Sequence, residues 1–136
     1  VSSWMHEHSK LFVHVFTHQK IAYHFLDEGE HDWLTRYFFA GGTMPSNDLF
    51  HYFQDDLKLE QQWLVDGTHY QKTSEAWLQT MDNNIDTVSK LFQETYGKGA
   101  KLWVMRWRIF FMACAELWGY ENGRQWMVSH YLFSKR

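Results

Sequence analysis

Between Leu11 and His18 apolar and polar positions alternate, with Leu11, Val13, Val15 and Thr17 on one side and Phe12, His14, Phe16 and His18 on the other. β-branched and aromatic residues at period two predict a strand over 11–18. A second strand is expected over 57–65, where Leu57, Leu59 and Trp63 alternate with charged and amide residues. A third is expected over 125–133, QWMVSHYLF. The period then changes: Trp77, Met81, Ile85, Val88 and Phe92 recur every three or four positions, as on one helix face. Thr73 is the expected N-cap of that helix and Glu75 suits its first turn. Lys98, between Gly97 and Gly99, interrupts the pattern, and a strongly apolar helix follows over about 101–118, stopped by Gly119. Pro45, Ser46 and Asp48 mark the start of a further helix carrying Leu49, Phe50 and Phe53 inward. Residues 1–9 read as a helix end and a turn, and DEGEHDWLTRYFF as an irregular acidic and aromatic stretch. Three strands and three to four helices make a mixed α/β chain.

A length of 136 residues fits one domain spanning 1–136. Aromatic residues are 19% of the chain, with eight tryptophans, a surplus that suits a thick core, an aromatic pocket or a face that meets a partner. The formal charge of -3 argues against nucleic acid as the main partner. No apolar run is long enough for a transmembrane segment, and the Trp4, His6, Glu7 and His8 region is unlike a signal peptide. The single Cys114 permits no internal disulfide, which together suggests a cytoplasmic protein.

Candidate chemistry centres on histidines and tyrosines. On a strand His14 and His18 share a face but stand roughly 13 Å apart, too far to ligate one metal ion, so no metal site is expected. His14 then reads either as a hydrogen-bonded core histidine or as a base on an aromatic face. DEGEHD reads as an acidic loop. No glycine-rich phosphate loop and no nucleophile elbow occurs. His69 and Tyr70 fall where a strand hands over to a helix, where backbone donors favour an anion. Trp107 and Phe110 share a helix face and pack in a core by default.

Four stretches change this picture: GTMPSNDL, FQDD, GTHYQKTSEAWL and WRIFFMACAELWGYENGRQWMVSHYLF. Through them the chain resembles the C-terminal part of S-adenosylmethionine-dependent methyltransferases of the cyclopropane-fatty-acid-synthase superfamily. The branch it is similar to is that of plant coclaurine N-methyltransferases. The resemblance implies an α/β fold, the C-terminal portion of a class I (Rossmann-like) methyltransferase. Strands 11–18, 57–65 and 125–133 would be the fifth, sixth and seventh of that sheet, in the order 1-3-2. The glycine-rich cofactor loop, the ribose-binding acid and the family's glutamate-histidine pair belong to the other half. No cofactor-binding residue is therefore expected in this chain, and the chain alone is expected to be inactive. One local departure is His6-Glu7-His8-Ser9, where relatives have a Pro-Gly-Gly turn.

The resemblance also implies roles. His14 matches a catalytic histidine beside a bound bicarbonate in the cyclopropane branch, and Tyr70 matches the tyrosine completing that anion site. Phe16, Trp107 and Phe110 fall on the side of the methyl acceptor, an amine or a lipid alkene. His18 is expected to orient the loop after its strand. The alternative is a non-enzymatic α/β interaction module binding a partner through an aromatic face. Between Leu11 and Phe16 no Pro, Lys or acid blunts the strand edge, so a homodimer through the 11–18 edge is expected.

Overall fold

The computed structural model describes residues 1–136. It divides into two compact units, Val1–Asp66 with Arg124–Arg136, and Gly67–Gly123.

The first unit is built on three strands: β1 (Lys10–His18), β4 (Leu57–Asp66) and β5 (Trp126–Lys135). Their order is β1-β5-β4, with both ladders antiparallel, so β1 and β4 run in the same direction on either side of β5. This is the predicted order, with strand ends within two residues of those read from the pattern. Short strands β2 (Tyr23–His24) and β3 (Thr43–Met44) form a separate ladder that the sequence pattern did not announce. Register sets the faces of the main sheet. Thr17, Met127, Ser129, Tyr131 and Phe133 are buried on one face. There the Tyr131 hydroxyl donates to the Asn47 carbonyl at 2.8 Å, and Phe50 sets its ring edge-on against Tyr131 and Phe133. The Thr17 and Ser129 hydroxyls satisfy each other at 2.6 Å.

The expected helix after Pro45 shrinks to one tight turn, Leu49–Tyr52. The reason lies just before it: the Pro45 carbonyl accepts from His18 N–H and the His18 carbonyl accepts from Asn47 N–H. Held in that bridge to β1, residues 45–47 cannot supply a first helical turn. DEGEHDWLTRYFF is likewise more ordered than expected. Arg36 forks onto the Asp27 carboxylate, with contacts of 2.7–3.2 Å, and Thr35–Phe39 form a wide π-type turn.

The second unit holds α1 (Thr68–Asn83), α2 (Ile85–Tyr96) and α3 (Ala100–Gly119). Thr73 is not an N-cap. α1 begins five residues earlier, where Gln71 N–H bonds the Gly67 carbonyl, and the Thr73 hydroxyl instead donates to His69 O. The stripe from Trp77 to Phe92 does not lie on one helix, because the chain breaks at Asn84. That residue closes α1 through its N–H to Met81 O and opens α2 by accepting from Val88 N–H. Met81, Ala100, Phe110, Cys114, Ala115 and Trp118 form the buried interior of this unit.

Candidate functional site

Strand register decides what surrounds His14. Its partner across the β1–β5 ladder is His130, whose partner across the β5–β4 ladder is Trp63. His14 Nδ1 and His130 Nε2 lie 2.8 Å apart, and their ring centroids 4.8 Å. Phe12 adds its ring 5.2 Å from His130 and 6.5 Å from Trp63. This face is open: Phe12 keeps 54% of its surface exposed and Trp63 38%. His14 is therefore neither a core histidine nor the only polar group among aromatics; it is an exposed imidazole bonded to a second imidazole. In such a pair one ring donates and the other accepts, so the two tautomers are coupled. A proton taken up by one ring has a neighbour to which it can pass. Phe16 stands half-buried two positions along the same face. His130 escaped the reading of the sequence, although the expected strand order and a ladder register would have put it opposite His14.

His18, on the same strand face, has a structural task. Its Nδ1 accepts from the N–H groups of Lys20 and Ile21, each at 3.1 Å, which turns the chain out of β1. Its ring stands edge-on to Trp126 at 5.2 Å, and burial holds its pKa below the usual imidazole value.

Tyr70 lies in the first turn of α1, half-buried, with its ring edge-on to Trp118 at 5.1 Å and Trp77 at 5.8 Å. Burial raises its phenol above the usual range, the Cys114 thiol adds to the rise, and the Ser74 hydroxyl offsets part of it. Tyr70 is thus a neutral phenol at physiological pH, suited to donate to an anion and unsuited to take a proton. Cys114 is buried and its thiol is pushed up to about 11 by burial, which removes it as a nucleophile.

Trp107, on α3, forms part of a groove of about 380 Å³ with Trp77, Thr80, Met81, Val88, Phe92 and Phe111. The apolar stripe of α1 and α2 is thus an open wall here, with Trp77 47% exposed. Phe110 is buried, its ring 5.5 Å from that of Trp107 and edge-on to it; it supports Trp107 and contributes no surface to the groove. No group of three or more His, Cys, Asp or Glu side chains lies close enough to hold a metal ion.

Strand order, helices and connections together are those of the C-terminal part of a class I methyltransferase. Over its whole length the chain is homologous to the C-terminal part of coclaurine-type plant N-methyltransferases. It is 40% identical over 141 residues to (S)-coclaurine N-methyltransferase of Papaver somniferum, covering all of this chain and 40% of that protein. Identity is 38% with (S)-coclaurine N-methyltransferase of Thalictrum flavum subsp. glaucum and 35% with pavine N-methyltransferase of the same plant. A crystal structure of coclaurine N-methyltransferase bound to N-methylheliamine and SAH matches with a TM-score of 0.89 at 36% identity. That match covers 98% of this chain and 40% of the crystallised one. No family model matches the chain. The chain spans about 40% of the length of the relatives it matches.

Proposed function

We propose that the full-length protein is an S-adenosylmethionine-dependent methyltransferase acting on the nitrogen of a small alkaloid-like amine. The observation that carries this reading is the match, over nearly the whole chain, to an N-methyltransferase crystallised with a methylated amine and SAH. Curated relatives that match throughout this chain are N-methyltransferases as well, which favours an amine over a lipid alkene as acceptor.

The chemistry assigned to this chain is proton removal and acceptor binding. Methyl transfer to a secondary amine leaves a tertiary ammonium whose proton must depart. His14 takes it as general base and His130, bonded to it, shares the load. Tyr70, neutral and hydrogen-donating, is the candidate to hold an anion, bicarbonate being the one that the resemblance implies. Within the helical unit Trp107 offers aromatic surface to a flat acceptor and favours its cationic product, with Phe110 backing Trp107; in the strand unit Phe16 is the acceptor-side candidate that the resemblance implies. The lone free thiol suits a cytoplasmic protein, and no helix is long and apolar enough to cross a membrane. The outer edge of β1, bridged by the chain's own residues only at His18, pairs with a further strand, that of a second copy in the isolated chain.

The test is methyl transfer by the full-length gene product, with S-adenosylmethionine and coclaurine, followed by mass spectrometry of the product. N-methylated product is expected, and its absence across a panel of cyclic amines sinks the reading. His14→Phe and Tyr70→Phe should each lower turnover by roughly two to four powers of ten, with little change in acceptor affinity. Trp107→Ala should instead raise the acceptor's KM, because it removes stacking common to ground and transition states. Full turnover in both His14 and Tyr70 variants would remove the catalytic assignment while leaving the activity itself standing.

A further inference from the structure

The solvent side of α3 carries the wrong residues for a solvent side. Leu102, Met105, Ile109 and Met112, spaced by three, four and three, keep 56%, 47%, 43% and 42% of their surfaces exposed. Other exposed positions along this stretch include Lys98 and Lys101 at the start and Glu116 near the end. That distribution opposes the helix dipole, which favours acids in the first turn and bases in the last. α3 has no acid in its first turn and no base in its last. The ion pairs Lys10–Glu60, Arg36–Asp27 and Arg108–Asp82 use none of Lys98, Lys101 and Glu116.

Both anomalies vanish when the helix meets itself head to tail. With a two-fold axis level with Trp107, Leu102 stands opposite Met112 of the second copy, and Met105 opposite Ile109. The same axis brings Lys98, in the tight turn Gly97–Gly99 just before α3, to the end of the pair that carries Glu116 of the second copy. Each basic end then lies against the negative C-terminal end of its neighbour, and each stripe covers the other. From these features we propose that α3 is a self-association face, pairing antiparallel with α3 of a second copy of this chain. The proposal depends neither on the methyl acceptor nor on the edge of β1.

Strength follows from size. A 20-residue helix is roughly 30 Å long and presents a stripe on the order of 10 Å wide. The stripe therefore covers on the order of 300 Å² per copy, well under the ~800 Å² per partner of a standard stable interface. The dimer is accordingly weak, with a Kd on the order of 10–100 µM, and salt loosens it.

Sedimentation velocity of the 136-residue chain carrying Phe12→Lys, an exposed β1 position where a charge blunts the strand edge, at concentrations from about one-tenth to about ten times that Kd, tests the idea. The expected series is a monomer converting to a dimer, abolished by Met105→Glu with Ile109→Glu. Lys98→Glu with Lys101→Glu should weaken the dimer about tenfold or more, and adding Glu116→Lys to that pair should restore it. Restoration by a third change cannot arise from misfolding, so this arm stands even where the apolar variants fold poorly. A chain that stays monomeric throughout overturns the proposal. So does a dimer that survives Met105→Glu with Ile109→Glu, or one whose charge reversals are silent or not rescued.

Discussion

His18 shows how one residue's environment becomes a pH effect. Its Nδ1 is an acceptor for two backbone N–H groups, and burial disfavours the charged ring. Protonation would put a hydrogen where both donors point. The native chain therefore binds this proton more weakly than the unfolded chain, whose imidazole titrates near 6.5. Stability is complete above that pH and declines as pH falls from there through the lowered native pKa. Urea midpoints measured between neutral and mildly acidic pH should drop in the parent chain, and drop less in His18→Asn. An equal slope in both would mean that other groups carry the effect. The period of the sequence placed His14 and His18 on one face, and the loop-orienting task of His18 came with the resemblance. It did not show that His14 has a partner, because a face comes from one strand's pattern whereas a neighbour comes from the register of two.

At the scale of elements, the tightest constraint is the turn after α3. Glu121, Asn122 and Gly123 all have positive φ, at 49°, 58° and 73°. A side chain at Gly123 would also meet backbone: its Cβ would lie 2.4 Å from Gly67 N and 2.6 Å from Thr68 N. No rotamer relieves a clash with main chain. The Gly67 N–H, moreover, donates to the Gly123 carbonyl at 2.9 Å, so the start of α1 is fastened at the same point. Gly123→Ala should cost at least about 2 kcal/mol, seen as a lower thermal or urea midpoint. Gly29→Ala, where a Cβ meets nothing within 4 Å, should be close to neutral. The turn at GYENG was legible from its residues, as were the long strands and the limits of α3. The start of α1 was not, because Gly67 begins that helix through a tertiary bond to Gly123 and no side-chain cap announces it. Asn84 likewise splits a periodic stripe that reads as unbroken when only apolar positions are counted.

For the whole molecule, the sheet order and the resemblance to methyltransferases could be read from the residues; the openness of the aromatic surfaces could not. Spacing marks Trp77, Trp107 and Phe110 as one kind of position. The fold separates them into an exposed wall, a partly buried wall and a buried support. What the fold contains also sets what it can bind. A cradle for S-adenosylmethionine needs a glycine-rich strand-turn-helix whose backbone approaches the cofactor, and none of the strand-to-helix turns here has one. Calorimetry with the 136-residue chain should show no S-adenosylmethionine binding at micromolar levels, and full-length protein should bind it. Micromolar affinity in the short chain would move the cofactor site into this half.

The two edges of the main sheet are unlike. β4 carries a bulge between Leu59 and Gln61. Beside it Glu60 reaches past β5 to Lys10 at 2.6 Å, and Lys58, Glu60 and Gln61 are exposed along that edge. A bulge twists a strand away from flat pairing, and charges resist an incoming backbone. β1 has neither device between Leu11 and Phe16. Two sticky edges would let sheets add end to end without limit, the route to fibrils. With one edge open and the other closed, extension of the sheet by backbone pairing stops after a single addition, so a strand that pairs at β1 leaves no free sheet edge to template fibril growth.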